Sequence, residues 1–207
     1  MNNLLILIIF AIICFLVVAV ATALFHKDAL FTIAIGAVIG ANVYNIGSFP
    51  IQVGKLVFGI DGVVYCIFLF CILVMYIDYG KKSLNTNLYT ALFSIFFTAL
   101  LSFFGNYFLN QGWSSSQIWA TASYFFSIVA TYVTVVLMIK LYDFMIKKKA
   151  NKIISFGVCM LVGNLINSII YFGLTFLTSG SLGENFLYSL LGSATTKIIT
   201  AIAYTIL

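Results

Sequence analysis

The chain has 207 residues, 63% of them hydrophobic and only 7% charged, with a formal net charge of +5. Soluble domains carry about a quarter of their residues as charges, and disordered chains lack this apolar and aromatic content, so both classes are excluded. The mean hydropathy of +1.17 leaves a polytopic helical membrane protein. A span takes about 20 residues, so the length fits about six or seven spans. No separate soluble domain fits beside them, which excludes a nucleotide-binding or nucleic-acid-binding module.

Polar punctuation divides the chain into seven expected spans. The first runs from about Asn3 to Phe25 and ends at His26-Lys27-Asp28. The second runs from about Ala29 to Ser48. After Phe49-Pro50, a loop containing Lys55 and Asp61 leads into the third, which ends near Ile77. The fourth covers Leu88 to Leu109, the fifth Gln117 to Ile146, the sixth Ile153 to Thr178 and the seventh Glu184 to Leu207. The apolar runs are continuous rather than alternating, which excludes a β-barrel. Span one lacks a basic leading segment and is too long for a cleaved signal, so it reads as a retained helix.

Lysines orient membrane proteins toward the cytoplasm. Lys27, Lys81, Lys82, Lys147, Lys148, Lys149 and Lys152 fall in connections on one side, and only Lys55 falls on the other. The expected topology puts the N-terminus outside and the C-terminus in the cytoplasm, with the chain in the cell membrane. Cys14, Cys66, Cys71 and Cys159 lie inside apolar runs without metal-ligand spacing, so they read as small apolar side chains. His26 stands alone in a loop, which suits an interfacial residue better than a catalyst.

Polar groups at membrane depth are costly and are the first functional candidates. Lys197 lies 13 residues after Glu184, about 20 Å along a helix. It either snorkels to the interface or faces an internal polar cavity, and the cavity is the preferred reading. Asn164 and Asn167 are three apart on span six and share a face. Their depth matches that of Lys197 on the neighbouring antiparallel span. They serve either a site or interhelical hydrogen bonds. Asn42, Tyr44 and Asn45 lie toward the outer end of span two, and Asp61 lies near the start of span three. Asp61 is either a solvated loop acid paired with Lys55 or a member of the site. Lys197, Asn164, Asn167, Asn42, Asn45 and Asp61 are therefore the substrate-binding candidates. Lys140 and Asp143 are expected to form a local ion pair. Gly36 over Gly40 and Ala37 over Ala41 allow close packing, within the bundle or against a partner helix. Trp119, Tyr124, Phe125 and Phe126 read as interfacial belt aromatics.

Walker, zinc-protease and nucleophile-elbow motifs are absent. No paired carboxylates are available to a membrane enzyme, so no catalytic residue, metal or other cofactor is expected.

From span two onward, several segments occur in the order of a known family. They are Ala41-Asn42-Val43, Tyr79-Gly80-Lys81-Lys82, Ala120-Thr121-Ala122-Ser123, Gly163-Asn164 with Asn167 and Ser168, and Lys197. In these the chain resembles the vitamin uptake transporter family, which includes the queuosine precursor transporters. The resemblance implies a six-helix core over residues 29–207, similar in fold to substrate-binding subunits of energy-coupling-factor transporters. Residues 1–28 would then be an extra N-terminal transmembrane helix. It implies uptake of a small heterocyclic nutrient, a deazaguanine base or vitamin-like compound, bound in a midplane cavity. The chain departs from the family at Leu73 and Ile77, where the family has acids, and at Asn167, where it has Asp.

The expected fold is thus all-α, a bundle of about seven transmembrane helices. The expected partners are a small-molecule substrate and the lipid bilayer, with an ATPase energising module or a second copy of the chain as protein partner, and no nucleic acid. Two other functions stay open. One is a substrate-binding subunit that moves nothing without its ATPase module, docking through small residues such as Ala37 and Ala41. The other is a non-transporting membrane interaction protein whose polar residues serve helix packing.

Overall fold

The computed structural model describes residues 2–47, 51–53, 56–58, 60–110, 115–179 and 184–206. Five helices carry the chain: α1 Asn2–Gly47, α2 Ile60–Asn110, α3 Ser115–Lys147, α4 Lys152–Ser179 and α5 Glu184–Ile206. Four stretches are long and apolar enough to cross a membrane among the described residues: Ile8–Asn42, Ile60–Gly105, Thr121–Lys147 and Lys152–Leu177. The chain is an integral membrane protein of helical-bundle type. Helix α5 is not among the four, because Ser193, Thr195, Thr196, Lys197 and Thr200 dilute its apolar content.

Helices α1 and α2 have 46 and 51 residues, which as straight rods would be roughly 70 Å or longer. Each is interrupted at a single residue. Gly80 breaks α2 at φ 78° and ψ −179°, a conformation open to glycine because it has no Cβ. Asn87 Nδ2 donates to Met75 Sδ at 3.3 Å, whereas twelve residues of straight helix would hold them about 18 Å apart. The chain therefore folds back at Gly80, and the helix resumes at once rather than near Leu88. In α1 the break is at His26, with φ 50° and ψ −126°. The Tyr204 hydroxyl donates to the Ala11 carbonyl at 3.3 Å, while Asn42 shares a cavity with Lys197. Tyr204 and Lys197 are about 10 Å apart along α5, but Ala11 and Asn42 would be about 46 Å apart on a straight helix. So α1 also folds back, and the expected loop at His26-Lys27-Asp28 reduces to one non-helical residue.

The segment expected as a loop after Pro50 contains a short hairpin. Strands β1 Ile51–Val53 and β2 Leu56–Phe58 pair antiparallel, Ile51 opposite Phe58. Their β-branched and aromatic residues suit extended structure, and β2 packs against α5. Asp61 consequently lies in the first turn of α2, not in a loop. Lys55, its expected partner, lies outside the described residues, as do the side chains of Tyr44, Asn45 and Trp119.

The basic α3–α4 connection is a closed turn. Ala150 N donates to Met145 O at 3.0 Å and Lys149 N to Ile146 O at 2.9 Å, with Lys149 at φ 59°. This is a left-handed helix stop with a lysine where glycine is usual. Asn151 then caps α4, its Oδ1 accepting from Ile153 N at 2.8 Å.

The first half of α2 is the central element, with Phe68, Leu69, Ile72, Leu73 and Met75 fully buried. Leu73, an acid position in the resembled family, therefore sits in apolar core. The half of α1 before His26 is peripheral: Ile9, Ile13, Val17, Val20 and Leu24 are exposed, and they suit a lipid-facing side. The half after His26 packs inward, with Ala37, Val38 and Ala41 buried and Val64 Cγ1 only 3.5 Å from where a Cβ on Gly40 would lie. Ala37 and Ala41 are thus used within the bundle rather than offered as a docking surface. The expected Lys140–Asp143 pair is replaced: Asp143 accepts from the Tyr76 hydroxyl at 2.6 Å.

Candidate functional site

Lys197 is buried, with 5% of its surface exposed. It does not snorkel. Its Nζ donates to Asn167 Oδ1 at 2.8 Å and to Ser168 Oγ at 3.0 Å. The ammonium also lies 5.0 Å from the centre of the Tyr65 ring, within the range of a cation–π attraction. Glycine makes this burial feasible, since a Cβ on Gly62 would approach Thr196 Cγ2 to 3.2 Å and Lys197 Cγ to 3.4 Å. Helices α2 and α5 touch there through Gly62.

Asn167 is the hub. Its Oδ1 accepts from Lys197, and its Nδ2 donates to the Tyr65 hydroxyl at 2.9 Å. That hydroxyl in turn donates to Thr131 Oγ1 at 3.4 Å. The network therefore joins α2, α3, α4 and α5. The Lys197 ammonium, both ends of the Asn167 amide and the Tyr65 hydroxyl each have a partner, which offsets the cost of removing them from water.

A cavity of about 30 Å³ lies beside this network. Asn42, Asp61, Asn167 and Lys197 line it together with Tyr65, Ser127, Ser193, Tyr171 and Phe172. Four of the six sequence candidates thus meet at one place. Asp61 and Lys197 both line it, so the site brings one acidic and one basic side chain to the same cavity. Asn164 is near but not at the cavity. Its Nδ2 donates to Met160 O at 2.8 Å and its Oδ1 accepts from Cys66 Sγ at 3.2 Å. It ties α4 to α2 instead of facing the cavity. The side chain of Asn45 lies outside the described residues.

The uncommitted groups decide what the cavity can hold. Asn42 Nδ2 donates to Val38 O at 2.7 Å, and its Oδ1 has no partner among the described residues. Ser193 Oγ is buried without a partner among the described residues. With the Asp61 carboxyl, these line the cavity beside Lys197 and three aromatic residues. A small polar molecule that both donates and accepts fits that set. The volume holds one or two waters, well below the roughly 300 Å³ of small-ligand pockets. A heterocycle would enter only with movement of the walls, of which Tyr171 and Phe172 are the largest. Among the described residues no group of three His, Cys, Asp or Glu side chains could hold a metal.

Tyr65, Ser168 and Ser193 were not among the sequence candidates. Tyr65 follows Asp61 by four residues and Ser193 precedes Lys197 by four, so each shares a helical face with a candidate. That spacing was the available signal. No family model, curated protein or solved structure matches the chain.

Proposed function

We propose that the protein is a membrane transporter that takes up a small heterocyclic nutrient, a queuosine-precursor-like deazaguanine base or a vitamin-like compound. One observation carries this reading: a buried lysine, Lys197, held by Asn167, Ser168 and Tyr65 beside a cavity that also receives Asp61 and Asn42. Ionisable residues at membrane depth mark substrate and ion paths. The ordered motifs shared with the vitamin uptake transporters support the substrate class. In this reading the fold-backs at His26 and Gly80 divide the five helices into seven spans, residues 29–207 form the transporting core, and the basic connections lie in the cytoplasm of the cell membrane. The protein performs no covalent chemistry.

The substrate is bound by Lys197, Asp61 and Asn42, with Asn167 positioning the ammonium. Tyr171 and Phe172 supply aromatic walls for the faces of a planar ring. A thermal-stability screen of the purified protein over nucleobases, deazapurines and vitamins tests this. A deazaguanine base that stabilises wild type but not Lys197→Met supports the proposal. No stabilisation by any member of the three classes counts against it.

A second reading is favoured by one observation. Asn164 and Asn167 satisfy both ends of their amides inside the protein. A non-transporting membrane protein would use them this way to fix helix packing. In that case the stability screen finds nothing while the protein stays folded.

A further inference from the structure

Between the second half of α2 and α3 lies a cleft of about 380 Å³, separate from the Lys197 cavity. Its volume is within the range of small-molecule sites. Leu84, Leu88 and Val135 form a buried apolar floor. Tyr89 and Tyr132 flank it and are 59% and 44% exposed. Two cations face it, Lys81 just after the Gly80 break and Lys140 on α3. Neither ammonium has an ion-pair or hydrogen-bond partner among the described residues. The acid in the cleft, Asp143, already accepts the Tyr76 hydroxyl at 2.6 Å.

Lys140 precedes Lys147, the last residue of α3, by seven positions, about 10 Å along the helix. Its ammonium is therefore within snorkelling reach of the membrane boundary, at the level of lipid headgroups. Two lysines from different helices, set above an apolar floor that runs into the membrane, match the two chemistries of a phospholipid. The phosphate complements the charges, and an acyl chain covers the floor. A free inorganic anion would use only the charges.

We propose that this cleft binds an anionic phospholipid of the surrounding bilayer, with its phosphate between Lys81 and Lys140 and an acyl chain along Leu88 and Tyr132. The lipid would bridge the second half of α2 to α3 without touching the Lys197 cavity. The proposal does not depend on what that cavity binds.

Native mass spectrometry of the purified full chain with added phosphatidylglycerol or phosphatidylcholine tests it. Wild type should retain phosphatidylglycerol roughly tenfold better than phosphatidylcholine, the scale set by two lysines meeting an anionic headgroup. The double variant Lys81→Gln/Lys140→Gln should lose that preference, while Lys148→Gln/Lys149→Gln, with the same change of charge outside the cleft, should keep it. Equal retention of the two lipids by wild type overturns the proposal without recourse to any variant. Equal loss in both double variants overturns it too, because the preference would then belong to diffuse surface charge. Displacement of phosphatidylglycerol by millimolar inorganic phosphate would make this an inorganic-anion site and overturn the lipid assignment.

Discussion

The Lys197 ammonium donates to the Asn167 carbonyl oxygen at 2.8 Å, joining α5 to α4 in the interior of the bundle. The same Asn167 amide donates to Tyr65 on α2. A single side chain thereby sets where the buried charge sits relative to Asp61 and the cavity.

Replacing Asn167 with Leu leaves the ammonium with one fewer acceptor and Tyr65 with one fewer donor. The expected loss of stability is about 2–3 kcal/mol, because the hydrogen bond lost involves a charge and its partners stay buried. Thermal unfolding in detergent measures it. Asn164→Leu should cost less, about 1 kcal/mol, since its cross-helix partner is the weak Cys66 thiol. If Asn164→Leu were the more damaging of the two, Asn167 would not be the hub.

Helices α4 and α5 touch at Gly157, where an added Cβ would lie 2.6 Å from Thr205 Cγ2. Gly157→Ala should destabilise by roughly 1–3 kcal/mol through overpacking. Adding Thr205→Ser removes the clashing methyl and should recover much of that loss. A double variant no better than Gly157→Ala alone would show that the two residues do not limit this packing.

The α3–α4 turn gives a contrasting pair. Asn151→Ala removes the cap on α4 and should cost about 1 kcal/mol. Lys149→Gly relieves the left-handed backbone of a residue with a Cβ and should stabilise by about 0.5–1 kcal/mol. Thermal unfolding of the two single variants should shift in opposite directions.

Orientation follows from the lysine-rich connections. A cysteine at Ser181 should react with a membrane-impermeant thiol reagent in intact cells, and one at Ala150 should not. The reverse pattern would invert the topology.

The apolar runs made the helices legible, and matched depth on neighbouring antiparallel spans made the pairing of Asn167 with Lys197 legible. Asn164 shares the face of Asn167 in sequence terms, yet three residues change which helix it meets, so it binds Cys66 and not the cavity. Periodicity carries no information about neighbours. The fold-backs were read as loops because Asp78 to Lys82 and His26 to Asp28 are polar. Helical geometry resumes after one residue there because a single left-handed φ reverses the chain. The hairpin was missed although Ile51-Gln52-Val53 and Leu56-Val57-Phe58 flank Gly54-Lys55, a turn pattern between β-favouring residues. Asp61 was ambiguous for the same reason, since its place in the first turn of α2 depends on where that hairpin ends.

Uptake of a radiolabelled deazaguanine base by cells producing wild type or Lys197→Met, at matched amounts of folded protein, addresses the cavity most directly. Wild type should accumulate the base above cells lacking the protein, and Lys197→Met should fall to that background. Uptake by Lys197→Met equal to wild type would show that the buried lysine and its cavity are not the substrate site.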